Sequence, residues 1–473
     1  MLQPYGFDWY FQAGQCVLWT GVKIAAFASL NGPRATELLQ LSMLLNGSII
    51  NSASPILNRN SNFYLLDYMI HRRTGWMISQ KMSSSRIYRN ECGNEENLKG
   101  ANLGDGGSFL MQSYRHGLEY VDVFPSWNWS FVPGTNIALD QTNPGCSGVG
   151  GFGVSSFVGM ASDGVYGVTA YKFTTPPQAR SEGKGISLFK SVSYFDTCYM
   201  TLLANISQLS PSLPMASSIT VIEQRRMPNV VPVGSSDVYT NENPTSPYPT
   251  GQWELSSVVW WLWEGNTGYL FPDPAPSPDR GCLSTGNGDY IYLHVSIGQV
   301  SGNWSIIGAE SGNVSVNMFT FWIEHPQQGA NSCYITVPNI SLSDFTAHAM
   351  EWIENTTVVS NTIHSQAVLS ANGQGVVTNP TGTLAAAIYD TLGTSLTTNT
   401  IGWNINISLP GVFLVSIDDA SKTFFTAANP TQTEWFNNAT SVSMTQDRSG
   451  QCNSMIINNA SSNGMSTVLD CNN

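Results

Sequence analysis

Histidine is missing from the first 70 residues; all six, at positions 71, 116, 294, 325, 348 and 364, come later. No G-x-S-x-G elbow and no H-E-x-x-H pair occurs, which sets aside the serine-hydrolase turn and the zinc-protease helix. The eight cysteines (16, 92, 146, 198, 282, 333, 452 and 471) form no C-x-x-C pair and no Cys/His spacing typical of a zinc site. No apolar run is long enough for a membrane span. The opening MLQPYGFDWYFQAGQ has neither the basic nor the apolar region of a signal peptide. Charge is scarce at 11%, so Ser, Thr, Asn and Gly must cover the surface, a balance that suits an extracellular β-rich protein. No repeat of fixed period is present, and neither a membrane nor a nucleic acid is an expected partner.

What is present points the same way. A chain of 473 residues suffices for about two or three domains. Its 14 Trp and 18 Tyr suit β-sandwich cores first and sugar stacking second. Sequons occur at Asn46, Asn128, Asn205, Asn303, Asn313, Asn339, Asn355, Asn406, Asn438 and Asn459. With an even cysteine count, they suggest a eukaryotic secretory pathway, with Cys452 and Cys471 as the expected local disulfide. Secretory chemistry without a leader suggests a native start upstream of Met1. The net charge is −13, yet residues 1–115 carry ten Lys/Arg against seven Asp/Glu, a net of +3. A polyanion would be drawn to this first quarter and repelled by the rest.

The apolar pattern predicts two short helices within residues 16–45, through Val22–Leu30 and Leu38–Leu44. From Asn62 the period becomes two, and the run to Ile70 is apolar on both sides, as in a buried strand. YIYLHVSI (290–297), VSVNMFTF (314–321) and IGWNINISL (401–409) are further strand candidates, with Asn406 on a solvent face. Stacked antiparallel sheets are expected, and a composition shift near residue 355 suggests a last small sandwich. GDGG at 104–107 lacks the lysine of a phosphate loop and is expected to be a hairpin turn. Glu91, Glu95 and Glu96 beside Arg86, Arg89 and Lys99 are as readily a solvated charge cluster as a site, and His71, Arg72 and Arg73 an ordinary strand end.

The densest chemistry lies between Asp67 and Thr135. DYMIHR (67–72), KMSSSR (81–86) and the E-x-x-N-x-E-N run of Glu91, Asn94, Glu96 and Asn97 are followed by LKG, GDGG, DVFPSWNW (122–129) and VPGT (132–135). GYLFP (268–272) and FTFWIEH (319–325) come later in the same order. This series resembles the central β domain of family 8 polysaccharide lyases, the hyaluronate, chondroitin and xanthan lyases. The resemblance implies a mainly β protein: a helical remnant at 1–55, a large antiparallel β-supersandwich at 56–355 and a small β-sandwich at 356–473.

It also implies β-elimination on a uronic-acid polysaccharide, in which a carboxylate is neutralised, a base removes the adjacent proton and an acid protonates the leaving oxygen. By the match, Glu91 would orient a His or Arg through a charged hydrogen bond, and Asn94 would support substrate or the same network. Arg34 is the counterpart of the arginine on the family's helical toroid. Arg86, Arg89, Asn97 and Lys99 are the substrate-binding candidates. The chain departs from the family where Ala13 and Val22 align with its catalytic His and Tyr, so inactivity of this chain alone is expected. The alternative is a non-catalytic acidic-glycan-binding or structural β protein. An acidic polysaccharide is the expected partner, for an extracellular monomer. No cofactor is expected, and calcium has no clear ligand set.

Overall fold

The computed structural model describes residues 35–39, 58–89, 98–112, 115, 118–139, 151–177, 185–209, 217–228, 236–272, 291–308, 311–325, 328–372, 381–389, 394–398, 403–407, 410–417, 423–428, 440–446, 455–457 and 467–470. Its strands pair antiparallel into five sheets, so the chain is mainly β. Of the expected N-terminal helices, residues 35–39 are helical and the remainder lies outside the described residues.

An eight-stranded sheet forms the middle layer, in the order Tyr239–Thr240, Trp261–Glu264, Thr267–Leu270, Ala330–Pro338, Tyr199–Gln208, Ile186–Tyr194, Gly167–Thr174 and Val158–Ser162. Side chains alternate across a strand, so both faces of this sheet must be covered. Alternation is plain in Ala330–Pro338: Cys333, Ile335 and Val337 point into one core and Tyr334 into another.

On one face lie two smaller sheets. The first contains β1 (Arg59–Phe63), β2 (Tyr68–Arg73), β3 (Trp76–Lys81) and β4 (Ser108–Gln112), in that order. Met69, Trp76, Ile78 and Leu110 seal it onto Val192, Tyr194 and Leu203. The second, of Gly251–Leu255, Tyr292–Asn303, Asn313–His325, Ser218–Arg226 and Asn136–Ala138, packs Val295, Phe319 and Phe321 onto Leu262, Tyr269 and Tyr334. The strands expected near 290–297 and 314–321 are the long central pair of this sheet.

The opposite face is covered by the helix Leu342–Asn355 and a six-stranded sheet that begins at Thr356. Ser341 caps the helix, its hydroxyl accepting from the Asp344 backbone N–H at 3.1 Å. Phe345, Ala349 and Ile353, four residues apart, form its buried stripe. Val368, Ala385, Val412 and Leu414 of the six-stranded sheet join the same core. Tyr389 ties the layers, donating to the Lys190 carbonyl at 3.1 Å and to Gln366 Oε1 at 2.6 Å. Trp403–Ile407 is a strand between Thr394–Thr398 and Thr440–Gln446, and Cys452 and Cys471 lie outside the described residues. Cys198 is a free thiol, buried in the core.

The apolar run from Asn62 does not stay extended. Tyr64–Leu66 makes a 3-10 turn, and Asp67 takes a left-handed conformation (φ 48°) before β2 starts. The Asp67 carboxylate accepts from the Ser84 backbone N–H and from Arg86, a tertiary contact that holds this turn over a continuous strand.

Phe345 is fully buried, edge-to-face on Trp261 at 5.7 Å, and a Cβ on Gly268 would lie 2.1 Å from its ring. Phe345→Ala is expected to lower unfolding free energy by about 3–5 kcal/mol. Gly268→Ala should also destabilise, and denaturant unfolding of both variants measures this.

Candidate functional site

The segment carrying Glu91 and Asn94 lies outside the described residues, and the described residues that flank it are held by backbone hydrogen bonds. At the near end, the Arg89 backbone N–H donates to the Gly151 carbonyl at 3.1 Å; at the far end, Leu98 N–H donates to the Ile307 carbonyl at 2.6 Å. Arg89 is buried, with Nε donating to Asp105 Oδ1 at 2.9 Å and Nη2 to Asp105 Oδ2. Nη2 also reaches Asn102 Oδ1 at 3.4 Å. A guanidinium held by a forked carboxylate has one orientation, so it fixes the position of Arg89.

GDGG does not close a hairpin. It ends the long connection from β3 to β4, and its close packing explains its glycines. A Cβ on Gly104 would lie 1.9 Å from the Arg89 carbonyl oxygen, and Gly106 has φ +101° against the Tyr171 hydroxyl. Gly106 N–H donates to the Lys81 carbonyl at 3.0 Å, and Lys81 N–H to the Gly107 carbonyl at 2.8 Å.

Next to this pair, Asp67 accepts from Ser84 N–H at 2.8 Å and from Arg86 Nη2 at 3.3 Å. Burial pushes its carboxyl above the ordinary value, opposed by Lys81, Ser84 and Arg86. Lys81 donates to the Leu66 and Met82 carbonyls, each at 2.7 Å, and burial lowers its amine to about 8 against the pull of Asp67 and Asp105. Tyr88 and Phe152 stand edge-to-face at 5.5 Å beside the loop, both exposed.

A second ionisable cluster lies between the layers. Tyr120 donates to Glu223 Oε1 at 2.9 Å, and Arg225 donates through Nε and Nη2 to Glu264 Oε2 at 3.0 and 2.5 Å. Glu119 accepts from Gln112 N–H at 2.8 Å. Desolvation raises Glu223 to about 7, with Arg225 and Tyr120 opposing, and lowers Lys190 to about 7. Tyr120 is pushed well above its usual value by the same burial, so it is no base at neutral pH. Lys190, Glu223, Gln80, Tyr199 and Tyr334 line a cavity of about 10 Å³, far too small for a sugar. Composition and motif reading pass over these groups. The signal was available in VIEQRR (221–226), where charges interrupt an otherwise apolar strand.

The histidines have different roles. His71 is buried and lowered to about 3 by desolvation and Arg73; Nε2 donates to the Phe195 carbonyl at 2.8 Å, leaving Nδ1 to accept from Asn60 at 3.1 Å. His325 is likewise lowered to about 3 by burial. Both are neutral structural groups. Among the described residues, no three His, Cys, Asp or Glu side chains are grouped to hold a metal ion.

Residues 58–349 match the model of polysaccharide lyase family 8, super-sandwich domain. The chain belongs to polysaccharide lyase family 8. Chondroitinase-AC of Pedobacter heparinus is 27% identical over 314 residues, 64% of this chain and 39% of that protein. A chondroitinase AC lyase solved in oligosaccharide complexes shares the fold, with a TM-score of 0.68, 23% identity, and coverage of 92% of this chain and 57% of its own. A Paenibacillus xanthan lyase also gives a TM-score of 0.68, at 18% identity, covering 92% of this chain and 39% of that one. This family 8 chain thus spans well under two thirds of each of these relatives.

Within the lyase fold, Arg34, Glu91, Asn94 and Asn97 lie outside the described residues. Arg86 and Arg89 take separate carboxylates, Arg86 pairing with Asp67 and keeping 25% of its side chain in solvent while the buried Arg89 pairs with Asp105. Lys99 is half-buried just beyond the loop. Asn128 is exposed, because Trp127 and Trp129 on either side turn inward, and its Oδ1 accepts from Ser130 N–H at 3.1 Å.

Arg89→Ala leaves Asp105 buried without its cation and is expected to cost about 3–5 kcal/mol in denaturant unfolding. Glu223 keeps its proton in the folded state up to about pH 7, whereas the unfolded chain releases it near 4.5. Its contribution is therefore present at low pH and lost as pH rises through that window. Thermal unfolding of Glu223→Gln should fall less steeply than wild type between these pH values; parallel profiles would contradict the assignment.

Proposed function

We propose that the chain acts in extracellular cleavage of a uronic-acid polysaccharide, of the hyaluronan, chondroitin or xanthan type, by β-elimination. The observation that carries this reading is the super-sandwich match over residues 58–349. Elimination removes the proton next to the uronate carboxylate, breaks the bond to the glycosidic oxygen and leaves a carbon–carbon double bond; the departing oxygen takes up a proton. Glu91 and Asn94, between Arg89 and Leu98 in the sequence, serve this chemistry as positioning groups. Arg86 and Lys99 add positive charge where the polyanion approaches. Ala13 and Val22 stand where the resemblance places the catalytic His and Tyr, so this chain by itself is expected to bind the polymer and to contribute to cleavage only together with groups it does not supply.

In the native secreted protein, unsaturated uronate is expected to accumulate on at least one of the three polysaccharides. Glu91→Gln or Asn94→Ala should slow it roughly tenfold or more. Reducing ends formed without the double bond would overturn elimination in favour of hydrolysis. The second reading, a non-catalytic acidic-glycan-binding protein, is supported by the buried, neutral His71 and His325. Persistent binding with no unsaturated product from the native protein would select it. Secretion carries its own check: the exposed Asn128 is expected to bear glycan in peptide mass mapping, and bare Asn128 would count against that route.

A further inference from the structure

We propose that Arg59 and Arg72, side by side on the outer face of the first sheet, form a binding site for the anionic groups of an acidic polysaccharide. The two residues are direct cross-strand partners of β1 and β2, so their side chains leave the same face of the sheet. Like charges in that position repel, and directly opposed Cβ atoms are only about 4.5–5.5 Å apart. A protein normally relieves such a pair with a carboxylate. Here every other described arginine of this stretch has an assigned partner: Arg73 with Asp196, Arg86 with Asp67, Arg89 with Asp105 and Arg115 with the Arg226 carbonyl. Among the described residues, the guanidinium groups of Arg59 and Arg72 have no hydrogen-bond or ion-pair partner, although the Arg72 carbonyl accepts from Arg73 Nη1 at 2.9 Å.

The surroundings favour a ligand over a solvated pair. Arg59 is exposed, but Arg72 is half-buried, and desolvation pushes its guanidinium below the ordinary value. Across the sheet from Arg72 follow Met77 and then Met111, and the next row holds Ser61, Ile70 and Ser79. Ile70, Met77 and Met111 are half-buried, giving the arginines an apolar floor beside them. Guanidinium forks recognise carboxylates and sulfates in their plane, while an apolar floor accepts the C–H face of a sugar ring. The chain as a whole is acidic, with a net of −13, so a polyanion is held only where cations are unpaired. Arg72 lies four residues along β2 from Tyr68, about 14 Å in an extended strand, which sets this site apart from Asp67 and its partner Arg86. The inference rests on the acidic-polysaccharide reading above for the identity of the ligand and adds a place for it to bind.

The test compares wild type with Arg59→Gln, Arg72→Gln and the double variant, titrated with chondroitin sulfate and with hyaluronan at several salt concentrations. The double variant should be at least as stable in thermal unfolding, since a repulsion is removed. Its affinity should fall roughly tenfold or more, with a shallower salt dependence. Loss against both polymers identifies the carboxylate as the bound group; loss against chondroitin sulfate alone identifies the sulfate. A double variant that binds both like wild type overturns the arginine site and leaves the substrate reading intact. A wild type that binds neither polymer, nor xanthan in a parallel titration, overturns both. Inorganic sulfate should raise the wild-type unfolding temperature more than that of the double variant, and equal shifts count against the pair.

Discussion

The eight-stranded sheet is buried on both faces, and the rest of the molecule follows from that burial. A sheet exposed on either side would leave rows of Val, Ile, Tyr and Trp in water, and apolar burial is the main force available to a chain with so few charges. One face is covered by two sheets drawn from the preceding and intervening sequence, the other by the helix and the C-terminal sheet. Tyr389 makes the dependence concrete: it sits against Phe157 and Phe189 while its hydroxyl binds the Lys190 carbonyl. Covering layers are thus held by side chains that pass through the interface as well as by apolar contact.

Between these layers the protein keeps an unusual amount of buried charge. Lys190, Glu223, Arg225 and Glu264 lie in or beside the sheets, as do the neutral His71 and His325. Such groups lose solvation on burial and remain only where partners fix them, which favours one register of the layers over others. The loop base uses the same physics nearer the surface. Arg89 and Asp105 form a buried forked ion pair that fixes the backbone at Arg89.

Much of the architecture was legible in the sequence. Period-two alternation marked the long central strands, turn clusters separated them, and the ordered landmarks from DYMIHR to FTFWIEH pointed to family 8. Local pattern failed where a tertiary contact took precedence. The apolar run at 62–70 is broken at Asp67, whose carboxylate is satisfied by Ser84, seventeen positions later. GDGG was expected to be a hairpin turn because a short glycine motif looks alike in a turn and in a close-packed wedge; the Arg89 backbone distinguishes them.

Alternation and composition by themselves determined that the chain forms stacked antiparallel sheets, since side-chain direction in a strand depends only on position along it. Which charges are free and which are spent was decided by the tertiary structure alone. Arg72, Arg73, Arg86 and Arg89 are equivalent letters in one basic stretch. Asp196 and Asp105 approach from distant sequence to neutralise two of them, Asp67 takes a third, and Arg72 faces Arg59. Electrostatic energy depends on separation in space, and strand register sets that separation between residues far apart in sequence.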